Sequence, residues 1–124
     1  MIKIILILTG GALGTFARYI IAALPHRFAE SIFPWGTLTV NALGSFIIGF
    51  LWGIFELRDL SPHARTFIFI GFLGGFTTFS TYALETLNLF REGDIRTALL
   101  NILANNIIAI GLVFAGFFIS KNIF

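Results

Sequence analysis

The chain has no cysteine at all, which removes disulfides, thiolate nucleophiles and cysteine-ligated metals from consideration. Charge is scarce as well: 11% of the 124 residues are Asp, Glu, Lys or Arg, too few for a solvated globular surface. The eight Lys and Arg are scattered without a basic cluster, so there is no footprint for nucleic acid. Only two histidines occur, His26 and His63, both in predicted loops and without companion ligands at metal spacing. No Ser-His-Asp set, phosphate-binding loop or H-E-x-x-H motif is present, and GFLGGF lacks the Gly-Lys-Thr ending a phosphate loop needs. The chain is not expected to be an enzyme. Tryptophan and tyrosine number two each against 16 phenylalanines, so the aromatics are not mainly an interfacial belt.

What is there in quantity is apolar surface. The chain is 57% hydrophobic, with a mean hydropathy of +0.95. A span needs about 20 apolar residues, so the length admits about four spans and little else. The expected fold is an all-α membrane protein, residues 1–124 forming one domain, with spans near 2–24, 36–55, 65–90 and 97–119. A cleavable leader at the start is not expected, because Arg18 interrupts the apolar run.

The first span places Gly10, Gly14 and Arg18 on one face, the glycines permitting close helix approach. Arg18 is read either as a functional intramembrane charge or as a side chain that snorkels to the headgroups. Pro25 is expected to close this span. In the second span Thr37, Asn41, Ser45, Gly49 and Gly53 recur at steps of four, a polar stripe continuing as a glycine stripe. Asn41 must face protein or water, as interhelical glue or as a pore-lining donor, because an amide facing hydrocarbon is costly. Ser61-Pro62 reads as the start of the third helix, Ser as N-cap and Pro in the first turn. The fourth span is interrupted by Asn101, Asn105 and Asn106, which are expected to border a polar path.

The most unusual stretch is Gly71–Glu85, GFLGGFTTFSTYALE. It holds Gly71, Gly74 and Gly75 and the hydroxyls of Thr77, Thr78, Ser80, Thr81 and Tyr82 in the middle of an apolar run. Glycine weakens helix interiors, and short hydroxyl side chains compete for backbone groups, so the helix is predicted to break across 71–78. Freed carbonyls and amides at membrane depth are tolerated only where protein or a polar cavity satisfies them, which marks an ion site. Phe79 and Tyr82, three apart, share a helix face. Their ring edges carry weak positive potential and can hold a dehydrated anion without trapping it.

Four spans divide the basic residues evenly: Lys3, Arg58, Arg65 and Lys121 on one side, Arg18, Arg27, Arg91 and Arg96 on or near the other. Orientation follows charge asymmetry, and here there is almost none, so the chain is expected to insert both ways up. Opposite orientations permit an antiparallel homodimer with an isologous interface.

GGALGTFARY (Gly10–Tyr19), GTLTVNALGSFIIG (Gly36–Gly49) and GFLGGFTTFSTYALE (Gly71–Glu85) together resemble the three motifs of the Fluc fluoride channels, also called the CrcB family. The resemblance covers nearly the whole chain. It implies an antiparallel, dual-topology homodimer in the plasma (inner) membrane that passes fluoride passively and selectively through two pores. It implies a break in the third helix whose carbonyls, at Gly74 and Thr77, hold a structural Na⁺ at the dimer centre. It places Phe79 and Tyr82 ring edges on the fluoride path, with Asn41 as a vestibule donor and Ser80 and Thr81 along the track; Thr37 and Asn105 are assigned to the same path. The second aromatic is commonly Phe in that family; here it is Tyr82, whose hydroxyl is expected to meet Asn105 or Asn101 or to project into the path. The rival reading is a small dual-topology, proton-coupled exporter of cationic drugs or guanidinium. That family places a carboxylate in its first span, where this chain has none and carries Arg18 instead.

Overall fold

A computed structural model describes residues 1–28 and 30–124. Among the described residues the regular structure is entirely helical: α1 (Ile2–Phe28), α2 (Trp35–Leu57), α3 (Pro62–Arg65), a π-helical segment π1 (Thr66–Leu73), α4 (Gly74–Phe76), α5 (Phe79–Arg91) and α6 (Ile95–Ile123). Four helical stretches are long and apolar enough to cross a membrane: Ile2–Phe28, Trp35–Leu57, Pro62–Arg91 and Ile95–Ile123. The third is composite, α3 through α5.

Local chemistry sets the starts. Ser61 caps α3 by accepting from the Ala64 amide at 3.2 Å, with Pro62 in the first turn as predicted. Asp94 caps α6 by accepting from the Thr97 amide at 3.2 Å, so that helix begins at Ile95, ahead of the predicted position. Gly93, at φ 84°, makes the turn that brings Asp94 there. Pro34 offers α2 no side-chain cap; instead His26 Nε2 accepts from the Gly36 amide at 3.3 Å. The expectation that Pro25 closes the first helix is wrong: α1 continues to Phe28. Proline removes one N–H donor, and this far along the helix the remaining turns hold.

Close backbone approach organises the packing. α1 lies against π1 and α4, α2 against α6, and α5 against α6. A Cβ at Gly14 would overlap the Phe72 carbonyl, and one at Gly75 would come within 2.7 Å of the Gly11 carbonyl. The glycine stripe of α2 meets α6 the same way, Gly49 at the Val113 carbonyl and Gly53 at Ser120. The buried apolar core is small and central, containing Val40, Leu73, Phe76 and Tyr82. Large apolar side chains of α1 and α6 point outward, as a lipid-facing surface requires.

The third span does break, but not across the glycines. π1 and α4 run continuously through Gly71, Gly74 and Gly75. The backbone leaves the helix at Thr77 (φ −86°, ψ 156°) and Thr78 (φ −148°, ψ 122°), both extended. Gly71 and Gly75 instead let α1 approach. Threonine suits the extended conformation, and its hydroxyl can take over as a cap.

Candidate functional site

The break changes where backbone hydrogen bonds go. In an unbroken helix the Thr78 and Thr81 amides would donate to the carbonyls of Gly74 and Thr77. Here Thr78 N–H donates to Asn41 Oδ1 at 2.8 Å, and Thr81 N–H donates to Thr78 Oγ1 at 3.2 Å, capping α5. The carbonyls of Gly74 and Thr77 therefore lose their helical donors. Gly74 is exposed on the protomer surface and Thr77 partly so. A Cβ at Gly74 would meet nothing closer than the Phe69 carbonyl at 3.7 Å.

Asn41 closes the other side of the break. Its Nδ2 donates to the Thr78 carbonyl at 2.9 Å and to Asn105 Oδ1 at 3.1 Å. Asn105 Nδ2 in turn donates to the Asn101 side-chain and backbone oxygens at 2.9 and 3.0 Å. Asn101, fully buried, donates to Thr86 Oγ1 at 2.9 Å, and Thr86 donates to the Tyr82 carbonyl at 2.9 Å. Every amide in this chain is oriented, because its ends are backbone groups that cannot change roles. The hydrogens of Asn41 and Asn105 are thereby spent within the protein.

Two cavities flank the break, and Thr78 is on the wall of both. The larger, about 380 Å³, brings together Asn41, Gly74, Thr77, Phe79, Tyr82 and Asn105, with Asn106 and Ser45 also on its wall. Phe79 and Tyr82 meet edge to face, ring centroids 5.2 Å apart and planes at 76°. Phe79 is 75% exposed, whereas Tyr82 is 7% exposed. The smaller cavity, about 290 Å³, collects Arg18, Thr37 and Thr81 with Thr15 and Tyr19. Arg18 thus lines a half-open hollow beside the break. Ser80 is exposed and is not among the residues of either wall.

Some expectations change in detail. The Tyr82 hydroxyl meets neither Asn105 nor Asn101: it accepts from Asn106 Nδ2 at 3.2 Å. Asn101 and Asn105 share a face, but Asn101 lies behind the larger cavity and supports Asn105. Asn106, one residue on, turns toward the Tyr82 side of that cavity. Glu85 also proves to belong here. It lies within the third span and accepts from the Thr37 hydroxyl at 2.9 Å. Among the described residues its Oε1, like Arg18 Nε, is buried without a hydrogen-bond partner. Glu85 ends the Gly71–Glu85 motif, and its place inside the expected 65–90 span was the available signal. Thr78 carried no signal beyond being one hydroxyl among five.

Comparison with known proteins identifies the family. The family model described as CrcB-like protein, Camphor Resistance (CrcB), matches residues 5–117. A protein of Parabacteroides distasonis named fluoride-specific ion channel FluC is 46% identical over 123 residues, covering 99% of this chain and 96% of its own length. Proteins of the same name from Agrobacterium fabrum and Pyrococcus furiosus are 43% identical over 125 residues and 46% identical over 121 residues. These cover 100% of both chains and 97% of both chains, respectively. On this end-to-end similarity the chain, with its four helices long and apolar enough to cross a membrane, belongs to the CrcB family.

Proposed function

We propose that this protein is a passive fluoride channel of the plasma (inner) membrane, built as an antiparallel, dual-topology homodimer that lets cytoplasmic fluoride leave down its electrochemical gradient. The observation that carries the reading is the full-length similarity to proteins named fluoride-specific ion channels, spanning the segment whose break is flanked by two cavities. Several features support the finer points. Carbonyls released at Gly74 and Thr77 cannot face hydrocarbon, which fits cover by a second protomer and an ion beside the larger cavity they line. Near-equal basic charge on the two sides of the span diagram favours an inverted copy as that second protomer.

The same carbonyls suit a hard monovalent cation. They are neutral oxygens deprived of their helical donors, and Gly74 is open to the protomer surface. Gly74 and Thr77 would hold Na⁺ through these oxygens together with their copies in the inverted protomer. The cation would supply fixed positive charge near the anion path.

On the anion path, the Phe79 and Tyr82 ring edges and the hydroxyls of Ser80, Thr81 and Tyr82 offer positive potential without formal charge. Asn41 holds the break with both hydrogens. An anion reaching it exchanges with the Asn105 bond, the longer of the two at 3.1 Å. Thr37 directs its hydroxyl to Glu85 and shapes the smaller cavity from behind. Arg18 contributes a charge at that cavity's wall, which attracts anions toward it.

The test is efflux from liposomes holding the purified protein, with fluoride inside and no proton gradient. Rapid fluoride release with chloride retained is the expected result. Equal release of both ions, release of neither, or release only with an imposed proton gradient would overturn the reading. The last outcome would restore the coupled exporter.

A further inference from the structure

Asn106 of α6 directs both hydrogens of its side-chain amide to fixed places. Its Nδ2 donates to the Ile102 carbonyl at 2.8 Å and to Tyr82 Oη at 3.2 Å. The carbonyl can only accept, so the nitrogen must lie on that side of the amide, and the same nitrogen faces the phenol. An N–H cannot accept. The Tyr82 oxygen therefore receives, and its own hydrogen must point elsewhere. Among the described residues no protein acceptor takes it. The ring cannot readily turn away: it is 7% exposed and packed edge to face on Phe79. Tyr82 is part of the wall of the cavity of about 380 Å³ beside the break.

We propose that the phenolic O–H of Tyr82, oriented by Asn106, is a hydrogen-bond donor to the anion in this cavity and raises the preference for fluoride over larger halides. The proposal rests on the fluoride reading above and names a specificity determinant within it. Of the neighbouring amide hydrogens, only the one Asn41 shares with Asn105 can be exchanged for an anion, and only by breaking that bond. The hydrogens of Asn41 and Asn105 are spent on Thr78, Asn105 and Asn101, and Asn105 presents its oxygen to Asn41. A ring edge interacts weakly with an anion, whereas an O–H to an anion forms a short, charge-assisted bond. That bond favours the smallest halide, whose charge is most concentrated. Asn106 is a positioning residue: by occupying the phenol's acceptor side it keeps the hydrogen directed into the cavity.

The test uses the full-length protein in liposomes, labelled with ring-¹³C tyrosine for infrared spectroscopy. The chain has only two tyrosines, Tyr19 and Tyr82, so Tyr82→Phe and Tyr19→Phe variants assign each C–O band. Fluoride is expected to shift the Tyr82 band, and chloride to leave it in place. In efflux, Tyr82→Phe should raise the half-saturating fluoride concentration about tenfold, the lower range for one hydrogen bond to a charged group. Asn106→Leu should raise it less, and should add nothing in the Tyr82→Phe background. A wild-type protein that passes fluoride with its Tyr82 band unmoved would overturn the proposal alone. An additive effect of Asn106→Leu in the Tyr82→Phe background would do the same. A wild-type protein that passes no fluoride overturns the channel reading on which it rests. If Tyr82→Phe does not fold, the band assigned through Tyr19→Phe still decides.

Discussion

The side-chain amide of Asn41 and the peptide groups of Thr78 exchange two hydrogen bonds, 2.9 Å from Nδ2 to the carbonyl and 2.8 Å from the amide to Oδ1. An asparagine on the second span thus stands in for the missing helical turn of the third. This lets the chain leave its helix at membrane depth without orphaning the Thr78 backbone.

Replacing Asn41 with Ala should be among the most damaging single changes. It leaves the part-buried Thr78 N–H without its acceptor, at about 1–3 kcal/mol, and removes the donor to Asn105 Oδ1. Denaturant unfolding in detergent should show a loss of about 2 kcal/mol or more, accompanied by loss of fluoride efflux. A variant with wild-type stability would show that the clamp does not hold the break.

Gly14 and Gly111 should respond oppositely to alanine. A Cβ at Gly14 would overlap the Phe72 carbonyl, while one at Gly111 meets nothing within 4 Å. Gly14→Ala must separate α1 from π1, at about 1–3 kcal/mol by analogy with overpacked cores. Gly111→Ala should be neutral or stabilising by up to about 1 kcal/mol, from helix propensity. Thermal melts of the two proteins in the same detergent make the comparison.

Exchanging Na⁺ for a bulky organic cation should lower both thermal stability and fluoride flux, if the Gly74 and Thr77 carbonyls hold a structural Na⁺. Binding to the native state alone stabilises in proportion to the logarithm of cation concentration, so the melting temperature should rise with added Na⁺. Melting and efflux that are both indifferent to Na⁺ would remove the cation from the proposal.

The ion pair between Lys121 Nζ and Glu56 Oε2, at 2.7 Å, ties the end of α6 to the end of α2. Both side chains are partly open, and such pairs contribute about 0–1 kcal/mol, less at high salt. Glu56→Gln should therefore change stability by less than about 1 kcal/mol and leave fluoride flux intact. A larger loss would mean that this junction carries more of the fold than its exposure implies.

A reporter fused to the C-terminus should be found on both sides of the membrane in comparable amounts. Adding three lysines to the 58–61 loop should drive that loop to the cytoplasm in most copies. A uniform location for the unmodified chain would defeat dual topology and with it the antiparallel dimer.

The four spans, their order and the irregularity of the third could be read directly from the residues. Each of those features depends on local composition: apolar runs of membrane length, Ser61-Pro62 as a helix start, and a hydroxyl cluster where hydrocarbon should be. The polarity of the residues singled out for the site was legible for the same reason, but their grouping was not. Asn41, Phe79, Tyr82 and Asn105 line one cavity, Arg18, Thr37 and Thr81 another, and Ser80 neither. The break falls inside the expected 71–78 stretch, but at its far end and not at the glycines, because glycine weakens a helix only when nothing else holds it. Here α1 packs onto Gly71 and Gly75 and keeps them helical, so the chain parts at Thr77 and Thr78 instead.

What the sequence determined by itself was which atoms are polar in an apolar setting, since that follows from residue type and span length alone. Only the tertiary structure decided which of those atoms are spent on one another. Asn101, Asn105 and Asn106 look alike in the chain, yet packing of α6 on α5 gives them three different tasks: anchoring the chain of amides, linking it to Asn41, and orienting Tyr82. Hydrogen bonds are directional and saturable, so a donor's availability depends on what the fold places within about 3 Å of it.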